Sequence, residues 1–225
     1  MHSDPITGNI GIENVTNLRI SNDALSAKRI KKENYATNGD TREFIVKIAR
    51  RLFSEVGFHK TTVADIARET HMSPAKVYSI FAAKMDINAA VCTEILAEIE
   101  AGTKQIAASE TTARQRLGNL LKFVAAKHCE EYLCDRNLHA LIEAAVTENW
   151  GVIQRHNSEM TANLKHIIAH GMETGEFSPG DPNLRARFVF AACSCFFDPR
   201  HAGEKGHPHD LTIDQMISFC AAAIA

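Results

Sequence analysis

Two helix-start signals lie eleven residues apart in this chain, and together they constrain its fold more than any other feature. Thr62 and Asp65 form a Thr-x-x-Asp pattern resembling a capping box, in which hydroxyl and carboxylate each satisfy a free backbone N–H. Ser73 is a good N-cap, and Pro74 follows in the first helical turn, where a missing N–H costs nothing. Val63, Ile66 and Ala67 are the inward positions of the first of these short helices, which ends near Thr70. Val77 and Phe81 face inward from the second. A longer helix precedes them, from Thr41 to Val56, with Phe44, Ile45, Ile48, Ala49, Leu52 and Phe53 on one apolar face. Thr41 is its expected N-cap and Gly57 its stop, while Lys47, Arg50 and Arg51 lie on the other side. Short helices joined by a tight turn are the layout of a helix-turn-helix, whose second helix enters the major groove of DNA.

The rest of the chain reads as helix. The periodicity predicts helices over Met85–Ala101, with Ile87, Val91, Ile95 and Ile99 four apart, and over Thr112–Cys129, Asp135–Thr147 and Trp150–Thr174. Gly175, Pro179, Gly180 and Pro182 then break the chain, and Asn183–Phe197 and Leu211 onward are the last two helices. No strand pattern and no internal repeat is present, so the expected fold class is all-α. Residues 1–40 carry scattered Gly, Asn, Ser, Thr and Asp without periodicity and read as a flexible extension, with a basic patch over Ala24–Lys32. Such an arm tracks DNA phosphates, enters the minor groove, or serves as a nonspecific tail.

Charge is divided along the chain. Residues 28–84 hold twelve Lys/Arg against six Asp/Glu, while residues 85–225 hold twelve against eighteen, within a net charge of −2. A basic segment beside an acidic remainder suits a nucleic-acid surface on one half. No apolar run reaches the ~18 residues of a membrane span, and no apolar stretch follows a basic start as in a secretory signal, so a cytoplasmic location is expected. The six cysteines lie within apolar helical patterns and read as reduced, packed thiols.

The run TTVADIARETHMSPAKVYSIFAAKMDI over residues 61–87 resembles the TetR family of one-component regulators. The family pattern has a Thr-led second helix, Ile and Ala within it, a Ser opening the third helix, then a Tyr, a Phe and a Lys. Here these are Thr62, Ile66, Ala67, Ser73, Tyr78, Phe81 and Lys84. With the preceding helix, about 45 residues carry the likeness. Where the family's turn usually has Gly, this chain has His71, which demands a left-handed backbone from a residue that adopts it at some cost. Ala75, Ser79 and Ile80 also depart from the common residues, in the groove-facing neighbourhood, which leaves the operator sequence open.

The resemblance implies an all-α protein with a helix-turn-helix domain over 41–87 and a helical effector-binding and dimerisation domain over 88–225. It implies a double-stranded DNA operator with palindromic symmetry and a small-molecule effector. It also implies a homodimer formed through the last two helices; no membrane partner and no cofactor is expected. The expected DNA-facing residues are Thr62, Ser73, Ala75, Lys76, Tyr78, Ser79 and Lys84. Thr62 is expected both to cap and to meet a phosphate, and by resemblance Tyr78 and Lys84 contact phosphates. Lys76, the single long donor among the exposed positions of the third helix, reaches either a guanine edge or a phosphate; Ala75 is short enough to meet a thymine methyl. So thin a set of base readers leaves much of the specificity to groove shape and dimer spacing.

Candidate lining residues for the effector pocket are Phe123, His128, Trp150, His166, His170 and Phe188, which combine apolar surface with a few polar groups. His128, Cys129, Cys134 and His139 lie close together in sequence, and His201, His207 and His209 share a loop, but none has tight metal-ligand spacing. A metal site is therefore not expected. No Gly-rich phosphate loop, Gly-x-Ser-x-Gly or His-Glu-x-x-His is present, so an enzyme is not expected. The expected function is a ligand-responsive transcriptional regulator, a repressor more than an activator; a DNA-binding protein without an effector stays open.

Overall fold

Helix α1 spans Asn38–Val56 in the computed structural model, which describes residues 38–201 and 211–225, with the backbone alone for 38, 129–134 and 201. The basic patch over Ala24–Lys32 lies outside the described residues. Internal contacts divide the chain after Arg42; residues 43–225 form the larger unit, and only residues 38–42 of the smaller are described. The helix begins earlier than Thr41, so Thr41 lies inside its first turn, as does Asp40, whose carboxylate suits the positive end of the helix dipole. Ile45, Ala49, Leu52 and Phe53 are buried as the spacing predicts, and Val46 with them. Gly57 ends the helix at φ +94°, its N–H donating to the Phe53 carbonyl at 2.9 Å.

Helices α2 (Val63–Glu69) and α3 (Pro74–Tyr78) follow. Both bonds of the Thr62 capping box form: Asp65 N–H donates to Thr62 Oγ1 at 3.1 Å, and Thr62 N–H donates to Asp65 Oδ2 at 3.0 Å. Hydrogen bonds donated by the Thr62 hydroxyl and by its N–H hold the Asp65 carboxyl below the usual carboxylate range. The turn between the helices is a Schellman cap. Met72 N–H donates to the Ala67 carbonyl at 2.9 Å, His71 N–H donates to the Arg68 carbonyl at 3.1 Å, and His71 adopts φ +57°. The left-handed turn expected of His71 is thus present without a glycine.

Helix α4 (Lys84–Ala107) is the long strut of the fold. Ile87, Val91, Ile95 and Ile99 are all buried, and Ala90 and Leu96 widen the face. Helices α5 (Ala113–Cys134), α6 (Arg136–Thr147), α7 (Gly151–Glu173) and α8 (Pro182–Cys193) follow, then short 3₁₀ turns at Ser194–Phe196 and Pro199–His201, and finally α9 (Ile213–Ala223). The eighth helix stops short of Phe197, where the 3₁₀ turn replaces it. No strand occurs among the described residues.

Helix α7 is central, packing on α4, α5 and α8. Two close approaches depend on glycine. A Cβ at Gly102 would lie 2.3 Å from the Phe123 ring, and one at Gly171 would lie 2.2 Å from the Phe177 ring. Glu176 closes the start of α5 by accepting from the N–H groups of Ala113 (2.9 Å) and Arg114 (3.1 Å). Those backbone bonds hold its carboxyl below the usual range. Cys92, Cys193 and Cys220 are buried free thiols, and burial pushes the Cys92 thiol up to about 12.

Candidate DNA-reading face and effector cavity

Five residues of the short helix-turn-helix segment are exposed together: Ser73, Ala75, Lys76, Tyr78 and Ser79. Only Val77 of helix α3 points fully inward, at 0 % exposure, and Phe81 just beyond it is also buried. Ser73 Oγ accepts from the Lys76 N–H at 3.2 Å, which fixes the start of α3, and Ser79 Oγ donates to the Lys76 carbonyl at 2.7 Å. Thr62 is exposed at the start of α2, its hydroxyl donating to Asp65 Oδ2 at 2.6 Å. Tyr78 is 51 % exposed, so its ring is free to reach outward from the helix.

Lys84 stands differently from the rest. Its side chain is half-buried, and Nζ donates to the Phe58 carbonyl at 2.6 Å. Burial lowers its pKa from the ordinary lysine value. One of three ammonium donors is used in this contact, which places the cation where the α1–α2 loop meets the start of α4. Arg51 braces the head by pairing with Glu69 of α2 at 2.7 Å and with Glu55, and the Glu69 bond raises its pKa. Arg50 pairs with Glu94 of α4 at 2.9 Å.

A second link joins the head to the following helices. Asp135 caps α6 by accepting from the N–H groups of Asn137 and Leu138, both at 3.0 Å. Its other carboxylate oxygen accepts from the Ser54 hydroxyl, and the Asn137 amide donates to the Ser54 carbonyl at 2.7 Å. The last turn of α1 is therefore held by the first turn of α6.

The middle of α6 borders a small cavity of about 50 Å³. Leu96 of α4, Val124 of α5, Ile142 of α6, and Ile153 and Met160 of α7 form its apolar wall. Phe190 and Phe197 close it, and His128 and His156 supply ring nitrogens. Asn157, an exposed lining residue, marks the mouth. His156 Nδ1 lies 3.2 Å from Glu100 Oε1. Burial drives its pKa down, with the Glu100 bond opposing, and burial pushes His128 down to about 4. His139 is buried alongside, Nε2 donating to the Pro199 carbonyl at 2.9 Å.

Of the six residues expected to line a pocket, the cavity includes only His128. Phe123 lies against Gly102 between α4 and α5. Trp150 precedes α7, and its indole N–H donates to Glu148 at 2.8 Å. His166 is exposed, and His170 Nδ1 lies 2.6 Å from Arg116 Nη2. Phe188 is 63 % exposed on α8. Sequence reasoning missed His156, Met160 and Phe197. A signal for the first existed: His156 falls on the same helical stripe as Val152, Ile153, Met160 and Leu164, a polar residue on a buried face. Among the described residues no group of three or more His, Cys, Asp or Glu is placed to hold a metal. The side chains of Cys129, Cys134, His201, His207 and His209 lie outside the described residues. No described helix is long and apolar enough to cross a membrane.

Comparison with known proteins meets this geometry. A family model described as bacterial regulatory proteins, tetR family, matches residues 45–91, and a tetracyclin repressor-like C-terminal domain matches residues 113–212. The fatty acid metabolism regulator protein of Bacillus subtilis (strain 168) is 23% identical over 151 residues, covering 65% of this chain and 76% of the relative. The crystal structure of a TetR/AcrR-family transcriptional regulator from Thermobifida fusca is similar at TM-score 0.56 and 24% identity, over 81% of this chain and 95% of that one. FadR from Bacillus subtilis, solved in complex with stearoyl-CoA, is similar at TM-score 0.58 and 20% identity, over 81% and 99%. The two family models cover the helix-turn-helix and most of the helical remainder: the chain belongs to the TetR family of DNA-binding transcriptional regulators, which are not enzymes.

Proposed function

We propose that this chain is a dimeric repressor that releases a palindromic operator when a small molecule occupies the cavity beside α6. One observation carries this reading. Helix α6 holds the reading head at its first turn, through Asp135, Asn137 and Ser54, and borders the cavity further along, through Ile142 and Val146. A ligand that favours one placement of α6 therefore biases the placement of the head. The likeness to a regulator solved with stearoyl-CoA supports a response to ligand.

On this reading the domains are residues 41–87 for DNA and 88–225 for effector and pairing, after an extension over 1–40. Helix α4 runs across the first of these boundaries as a continuous strut. The DNA face comprises Thr62, Ser73, Ala75, Lys76, Tyr78, Ser79 and Lys84. Pairing uses α8 and α9, where Leu184, Phe188 (63 %) and Phe219 (67 %) expose large apolar groups around shallow grooves. A two-fold dimer suits a symmetric operator, and the cytoplasm is where such DNA is met.

Fluorescence anisotropy of the full chain against DNA from upstream of its own gene, over a salt series, tests the reading. Saturable binding that survives competitor DNA is the expected result, with two protomers per site. Only weak, steeply salt-dependent binding to that DNA and to sites drawn from a genome-wide binding selection would overturn it.

A further inference from the structure

The cavity beside α6 is chemically selective, and its selectivity follows from which polar atoms remain unpaired. Among the described residues, its wall contains no Lys, Arg, Asp or Glu. Charged groups of both signs stand behind the wall, Arg155 acting on His156 among them. Glu100 stands behind His156, and Asp198, which acts on His128, is paired with Arg200. Glu143 of α6 acts on His139. An anionic ligand would find no cation in the described wall and would lose its hydration. A cationic ligand would also be desolvated, with no carboxylate in the wall to meet it.

The two ring systems define what a neutral ligand must offer. Burial keeps both imidazoles uncharged at neutral pH. A neutral His156 with Nδ1 facing Glu100 Oε1 at 3.2 Å carries its proton on Nδ1, donating to that oxygen. Nε2 of that ring is then an acceptor. His128 carries one donor and one acceptor, and no described residue hydrogen-bonds its ring. This pair brings a donor and an acceptor to the wall of an otherwise apolar cavity.

We propose that the cavity selects an electrically neutral, mainly apolar molecule carrying a hydroxyl group, which donates to His156 and accepts from His128. This rests on the effector reading above and names the class of ligand for that site. A hydroxyl is the smallest group that is both donor and acceptor, whereas a carboxylate only accepts and brings a charge. The cavity is small, about 50 Å³, so the ligand body must be compact, of the order of a single ring. The rings of Phe190 and Phe197 give that body a flat apolar surface to meet.

Calorimetric titration of the full chain with phenol, benzene and benzoate tests the class. The phenol is expected to bind saturably, and roughly tenfold or more tightly than either of the other two, because only it satisfies both imidazoles without burying charge. His128→Leu is expected to erase the preference for the phenol over benzene, and His128→Gln, which keeps a donor and an acceptor, to retain part of it. Benzoate binding as tightly as the phenol, or no binding of the phenol, overturns the proposal. The wild-type comparison decides the matter even if His128→Leu fails to fold. Operator release is read separately by anisotropy. Phenol binding without release overturns the repressor reading and leaves the ligand class standing; release by stearoyl-CoA from a protein that does not bind the phenol does the reverse.

Discussion

The side-chain amide of Asn137 donates to the backbone carbonyl of Ser54 across 2.7 Å, tying the first turn of α6 to the last turn of α1. Gly57, three residues on, reverses the chain beside it with its φ of +94°, and a Cβ there would lie 3.5 Å from Asn137 Oδ1. The cavity-bordering helix and the reading head thus share a polar joint. Asn137→Ala should lower stability by about 1 kcal/mol, the ordinary worth of such a bond. If the joint transmits effector state, operator affinity without effector should also change several-fold. Chemical denaturation and anisotropy on the same protein separate the two effects. Lost stability with unchanged affinity would make the joint purely architectural.

Lys84 spends one ammonium donor on the Phe58 carbonyl, which leaves two for other partners. Lys84→Ala should weaken binding to all DNA sequences alike and reduce the salt slope by about one unit. Anisotropy over a salt series reads both. A loss confined to one operator sequence would make Lys84 a base reader instead.

Lys76 is the one long donor among the exposed residues of α3, between Ala75 and the buried Val77. Lys76→Ala should change the preference at a single base pair by roughly 1–3 kcal/mol. Competition with operators altered one pair at a time measures it. A uniform loss would assign Lys76 to the phosphates.

Stability should fall as the solution is acidified below neutrality. Burial pushes His128 down to about 4 from an ordinary value of 6.5, and burial also lowers His139 and His156. Between the folded and unfolded values the unfolded chain binds more protons, so acid favours unfolding throughout that window. Each such group adds up to about 1.4 kcal/mol per pH unit. Denaturation near neutral pH and about two units lower measures the slope, and His128→Leu should flatten it by about one proton. An unchanged slope would mean that His128 is protonated in the folded protein.

Phe188 and Phe219 are exposed by 63 % and 67 % on the two last long helices, a cost that pairing would remove. Phe219→Glu should convert dimer to monomer in light scattering and weaken operator binding by tenfold or more, since a single head keeps only half the contacts. A variant that remained dimeric would place the interface elsewhere.

The helix-turn-helix was legible because its information is local. Thr62, Asp65, Ser73 and Pro74 act on backbone within one turn of themselves, and the positive φ of His71 follows from the turn they bracket. The apolar faces of α1 and α4 were legible for the same reason: helical period alone puts Ile45 with Ala49, and Ile87 with Val91. The start of α1 was not. Thr41 has the chemistry of a cap, yet the helix continues back to Asn38, because a capping residue tolerated within the first turn does not oblige the helix to begin there.

The cavity was the least legible part, since period says which residues share a face and not which faces meet. Phe123 and His128 are on one helix, but Gly102 gives the first a flat seat on α4 while the second turns to the cavity. His170 was drawn away by Arg116, and His156, set in an apolar stripe, came in with Glu100 behind it. By itself the sequence determined an all-helical chain, a DNA-reading head and the family it belongs to, through caps, turns and periodicity that act within a few residues. Tertiary structure alone decided which residues enclose the cavity and which hold α6 to the head. Those relations depend on contacts between residues such as Ser54 and Asn137, far apart in the chain and joined only once the helices pack.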